Sequence, residues 1–141
     1  MISVAETVDE IAADFALLSD WEERYAHIIE LGRALAPLTK EEHNDANKVR
    51  GCASQVWLVT EHEGDRLVFR GDSDAHIVRG LIAVLLRLFS NRTPAEILAI
   101  DPKGTFARLG FADALTPQRS NGVFSMIERM RRDARAAQET A

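Results

Sequence analysis

The chain has 141 residues, 46% of them hydrophobic and 28% charged, and a formal charge of −5. A chain of roughly 150 residues buries about two-thirds of the surface it exposes when unfolded, so one domain over residues 1–141 can hold a core without a metal or a disulfide. The acidic balance argues against nucleic-acid and anionic-membrane partners, and the mixed composition excludes a disordered or fibrous chain.

The N-terminal MISVAETVDEIAADF mixes acids with apolar residues and lacks the basic start and continuous apolar run of a secretory signal, so a cytoplasmic location is expected. Ser3 with Glu6 reads as a capping box, and Val8, Ile11, Phe15 and Leu18 recur at helical spacing behind it. Asp20 with Glu23 repeats the device. Trp21, Tyr25, Ile28 and Leu35 then mark the inner face of a second helix that should stop near Pro37. KEEHNDANK, residues 40–48, reads as a solvated connection.

From Val49 the texture turns to β-branched and aromatic residues: VRGC, then QVWLVTEH, a turn at Glu63-Gly64-Asp65, then RLVFRG. The pattern predicts an antiparallel hairpin with VRG as a third short strand. Asp72, Ser73 and Asp74 are cap candidates for a third helix. Ile77, Val78, Leu81, Ile82, Val84, Leu85, Leu88 and Phe89 make that helix apolar over most of its circumference, the most buried of the set. The stretch IVRGLIAVLLRLF is too short to span a bilayer and carries Arg79 and Arg87. Thr93-Pro94-Ala95-Glu96 starts a short helix that Asp101-Pro102 ends, and a broken region around Gly104 and Gly110 follows. Thr116-Pro117 opens the last segment, with Val123, Met126, Ile127 and Met130 on one face and a tail expected to fray after about residue 133.

The chemistry has to be sought at Cys52, the only cysteine. One cysteine can make neither an internal disulfide, nor a CxxC pair, nor a four-cysteine metal site. Free cysteines are most often inert packing, but a packing cysteine belongs in an apolar run. Cys52 instead follows Gly51 and precedes Ala53, Ser54 and Gln55, with Lys48 and Arg50 close behind, and nearby cations favour the thiolate. A hydrolase or transferase would add a base held beside the thiol, and nothing in the spacing assigns His27, His43, His62 or His76 to that place. Asp72-x-Asp74-x-His76 has the alternation of a metal site but sits where a helix needs its cap and acidic first turn. Arg119, after Thr116-Pro117, reads as a solvated arginine or an anion contact near a helix start. At this level a working thiol and a packing cysteine both stand.

Four blocks in series, WEERYAHIIELG (21–32), GCASQVW (51–57), GDSDAHIVRGLIAVL (71–85) and LTPQRSNG (115–122), resemble the SufE family of sulfur acceptors over nearly the whole chain. The resemblance implies an α+β fold, a small antiparallel sheet of about three strands packed against several helices and shared with IscU-type scaffolds. It implies that Cys52 takes persulfide sulfur from a pyridoxal-phosphate cysteine desulfurase of the SufS type, stimulates that enzyme, and passes the sulfur to a SufB-containing scaffold that builds iron–sulfur clusters. The chain itself would then hold no cofactor and no metal, the pyridoxal phosphate being the partner's, and would show no independent turnover. Gly51, Ser54, Gln55 and Arg119 become candidates for steadying the cysteine loop or the partner. A CsdE-like role with a CsdA-type desulfurase is the alternative within the resemblance. A cysteine hydrolase, or a binding module with Cys52 as packing, are the alternatives outside it, and homodimerisation is left open. An IscU-like scaffold role is disfavoured, because a cluster needs several thiolate or imidazole ligands.

Overall fold

The structure, a computed structural model, describes residues 3–51, 54–109 and 117–140, with the side chains of 117–119 and 140 outside that description. In chain order it runs α1 (Val4–Ala16), α2 (Trp21–Arg33), β1 (Val56–Glu63), β2 (Arg66–Ser73), α3 (His76–Phe89), α4 (Pro94–Ala99), α5 (Pro102–Leu109) and α6 (Pro117–Thr140). This is an α+β arrangement.

The helix starts follow from their caps. Ser3 and Asp20 accept the amides of Glu6 (3.1 Å) and Glu23 (2.8 Å). The reciprocal half of each box differs from expectation: Glu6 takes the Ser3 hydroxyl, and Glu23 takes the Ser19 amide. Thr93 and Glu96 form the complete box, with Pro94 at the first turn.

β1 and β2 pair antiparallel from Val56↔Ser73 to Glu63↔Arg66, joined by the two-residue turn Gly64-Asp65, where Gly64 has φ 61°. The third strand expected before the cysteine is reduced to one bridge, Lys48↔Trp57, with Leu58 N–H donating to Asn47 O and Val49 N–H to Val56 O, both at 2.8 Å. Alternation puts Val56, Leu58, Leu67, Phe69, Gly71 and Ser73 on the inner face.

α3 lies across that face. Its buried stripe runs from Ile77 to Phe89 as expected, except that Val78 is only half-buried and Gly80 joins it. α2 crosses α3 where glycines meet: a Cβ on Gly80 would stand 2.0 Å from Ile28 O, and one on Gly32 2.7 Å from Gly80 N. Among the described residues the buried apolar side chains other than Leu38 form one cluster that also takes in Val123, Met126, Ile127 and Met130 of α6. Buried Arg92 ties α1 to the end of α3 by donating to Thr7 Oγ1 and Leu88 O.

Three expectations need correcting. Asp101-Pro102 ends α4 but also starts α5, because proline suits a first helical turn, and Thr105 N–H closes onto Asp101 O at 3.0 Å. The stretch around Gly104 is therefore helical, while Gly110 lies outside the described residues. The tail stays helical to Thr140, since Ala134 is fully buried and Ala137 packs on the core. Asp72, Ser73 and Asp74 do not cap α3: the first two end β2, and the N-cap is Ala75, with no side-chain cap bond.

Candidate functional site

Cys52 and Ala53 lie outside the described residues. What the structure does establish is how both flanks of Cys52 are held. On the N-terminal side, the Val49–Val56 hydrogen bond fixes the base of the segment. Gly51 follows with φ 90°, a conformation that L side chains rarely adopt, and its missing Cβ would lie 2.6 Å from Ser125 Oγ of α6. Glycine is required here on both counts.

On the C-terminal side, Gln55 N–H donates to Asp74 Oδ1 at 3.0 Å, and Asp74 N–H donates back to Gln55 O at 3.3 Å. Ser73 Oγ accepts from Ala75 N–H, and Asp72 Oδ1 from Ser73 N–H. The Asp-Ser-Asp run thus turns the chain from β2 into α3 while clamping the residue three places beyond the cysteine. Ser54 is half-buried and Gln55 exposed, so of the sequence candidates Gly51 and Gln55 are fixed by specific contacts. Arg119 falls in the first turn of α6, and its side chain is outside the described residues. Trp57 is half-buried, with its ring edge-on to His43 at 4.7 Å.

The connection 40–48 is not simply solvated. His43 Nδ1 is 2.7 Å from Thr39 O and its Nε2 2.9 Å from Asp72 Oδ2. Both partners are acceptors, so only the doubly protonated imidazolium satisfies both. The Asp72 carboxylate, with the Thr39 carbonyl behind it, holds the His43 pKa above its ordinary value against the opposing effect of burial. Asp72 also meets Arg79 Nε at 3.2 Å. Glu42 pairs with Arg70 and accepts Thr39 N–H, and the Arg70 bond is the main reason its carboxyl is lowered to about 2. These contacts lay the connection onto the outer face of the hairpin.

The other sequence candidates separate from the site. His27 packs edge-on against Phe15, and His62 and His76 are exposed. Asp72, Asp74 and His76 are not a metal site, since the first two are engaged as above. Among the described residues there is no group of three or more metal-type ligands. No helix among them is long and apolar enough to cross a membrane. Sequence reasoning missed the clamp at Asp74 and the contact of Ser125, along with a groove where residues 45–50 run beside α6.

A family model described as SufE, an Fe-S metabolism associated domain, matches residues 9–134. The chain belongs to the SufE family. An uncharacterised SufE-like protein of Rhizobium etli is 49% identical over 133 residues, covering 92% of this chain and 90% of that one. Another from Rhizobium meliloti is 47% identical over 132 residues, covering 91% and 94%. A solution structure of a hypothetical protein from Thermus thermophilus shares the fold, with a TM-score of 0.76 at 17% identity and 99% of each chain covered. Membership in this SufE family assigns a sulfur-transfer role in iron–sulfur metabolism and a cysteine desulfurase as partner.

Proposed function

We propose that this protein takes persulfide sulfur onto Cys52 from a SufS-type desulfurase, stimulates that enzyme by clearing its product sulfur, and delivers the sulfur to a SufB-containing assembly scaffold. The Cys52 thiolate attacks the outer sulfur of the desulfurase persulfide. A new sulfur–sulfur bond forms at Cys52, the bond within the donor persulfide breaks, and its electron pair leaves with the desulfurase thiolate. There is no net oxidation, and no base is needed beyond the deprotonated thiol. The chain needs no cofactor of its own in this scheme.

The observation that carries the reading is the sole cysteine of a SufE-family chain, flanked by a positive-φ glycine on one side and a clamped residue on the other. Both flanks are themselves tied to neighbouring elements, Gly51 against Ser125 of α6 and Gln55 to Asp74 just before α3. They suit a thiol presented to a partner better than one filling a core. Gly51 and Gln55 act as the two anchors, Ser54 lines the C-terminal flank, and Arg119 serves the cysteine loop or the partner.

The test is alanine release from cysteine by a SufS-type desulfurase, with and without this protein. Stimulation that Cys52→Ser abolishes supports the reading, and release that is unchanged by the wild-type protein overturns it. Stimulation confined to a CsdA-type desulfurase would move the protein to the paralogue's role.

A further inference from the structure

The geometry points to a docking site for an acidic segment of the desulfurase in the cationic groove between residues 45–50 and α6. This inference rests on the functional reading above and deepens it. The groove has a volume of about 510 Å³, and Lys48, Arg50, Arg129, Arg132 and Arg135 bring their charges to it. The only carboxylates among its lining residues are Asp45 and Glu128. A local balance of +3 stands on a chain whose overall charge is −5, so the rest of the surface is more acidic than the total suggests.

Most of these cations are not used by the fold. Arg129 is, since its Nη2 donates to Ala46 O at 3.2 Å and Asp133 lies 3.6 Å from its Nε. Lys48 and Arg50 have no carboxylate within 4.0 Å among the described residues. Arg132 and Arg135 reach Asp133 and Glu128 only at 3.9 and 3.8 Å, through side chains 67% and 49% exposed. Pairs that long and that wet contribute little. Their spacing from Arg129 by threes along α6 puts all three on one helix face.

Position selects the occupant. Lys48, Val49 and Arg50 of the lining lead directly into Gly51 and Cys52, and Ser125 of the lining is the residue against which Gly51 packs. A donor that reaches Cys52 approaches the chain two residues from Arg50 of this lining. An open groove bounded by solvated arginines suits an extended acidic surface, which gains both attraction on approach and selection against basic partners. The overall acidity weighs against a polyphosphate chain.

The experiment measures the Kd for a SufS-type desulfurase with wild-type protein, with Arg132→Glu/Arg135→Glu, and with Arg33→Glu/Lys103→Glu as a charge-matched control away from the groove. Should the groove pair fail to fold by circular dichroism, the milder Arg132→Gln/Arg135→Gln carries the same test against Arg33→Gln/Lys103→Gln. The groove variant is expected to weaken binding roughly tenfold or more at ~50 mM salt, with the difference shrinking at ~0.5 M as screening shortens. The control should stay within about twofold of wild type, and uptake of sulfur on Cys52 from free cysteine persulfide should be unchanged in the groove variant. A groove variant that binds as the control does overturns the docking site and leaves the functional reading standing. Wild-type protein that neither binds the desulfurase nor accepts its sulfur overturns the functional reading, and the docking site with it.

Discussion

Substituting Gly51→Ala isolates the N-terminal anchor of the cysteine segment. Two costs add. Holding an alanine at φ 90° costs roughly 1–2 kcal/mol, because the Cβ crowds the following carbonyl. The new methyl would also start 2.6 Å from Ser125 Oγ, and turning that hydroxyl off its rotamer adds roughly 0.5–1.5 kcal/mol. Gly64 supplies an internal reference: its φ is 61°, and nothing stands within 4 Å of its Cβ position. Gly64→Ala should therefore show the backbone cost alone. With Ser125→Ala in place the nearest side-chain atom to residue 51 is the Cβ of residue 125 at 3.5 Å, an ordinary contact, so Gly51→Ala in that background should fall to the Gly64→Ala value. Urea unfolding of the four variants gives the cycle, with an unchanged slope expected for a pure stability effect. The single Gly51→Ala should lose about 2–3 kcal/mol, or roughly 5–9 °C in Tm for a chain of this size. A coupling below about 0.3 kcal/mol between positions 51 and 125 would refute the reasoning, as would a Gly51→Ala variant no less stable than Gly64→Ala.

Gly80→Ala should be more damaging, about 3 kcal/mol or more, since its methyl meets the Ile28 carbonyl and helices α2 and α3 must part; a thermal midpoint near wild type would contradict the close crossing. His43 has a raised folded-state pKa, so its contribution is fully present below the unfolded value of about 6.5 and is lost as pH rises through the folded value. Thermal midpoints between about pH 5.5 and 8.5 should fall more steeply for wild type than for His43→Gln, and parallel curves would sink the assignment. Asp74→Ala should release the Gln55 amide, raising its hydrogen-exchange rate roughly tenfold for a bond worth about 1.4 kcal/mol, while leaving residues in β1 beyond Leu58 unchanged; equal rates at Gln55 would remove the clamp.

The helices were legible where local chemistry decides them. Caps at Ser3, Asp20 and Thr93 and the apolar stripe of α3 need no tertiary knowledge, and the Gly64 turn fixes its own hairpin. What was not legible depends on partners far along the chain. Asp74 reads as a cap by position, yet its carboxylate serves Gln55, a residue 19 places earlier. The polar 40–48 stretch reads as solvated because nothing local shows Glu42 meeting Arg70 or His43 meeting Asp72. The C-terminal tail misleads by its charge: Ala134 and Ala137 continue the buried face with small residues that carry a weak hydrophobic signal. Arg135 between them read as part of a fraying end and is, with Arg129 and Arg132, one wall of a groove. At the site itself, the cysteine and its glycine stood out by residue type, while Ser125 left no signal, since a serine at a half-buried helix position is ordinary.

The most direct test of the account is the intact mass of the protein after incubation with a SufS-type desulfurase, pyridoxal phosphate and cysteine, with Cys52→Ser alongside. The account expects an increment of about 32 Da, one sulfur atom, that reductant removes and the variant lacks. An unmodified mass in the presence of active desulfurase, or an increment that persists in Cys52→Ser, would contradict it.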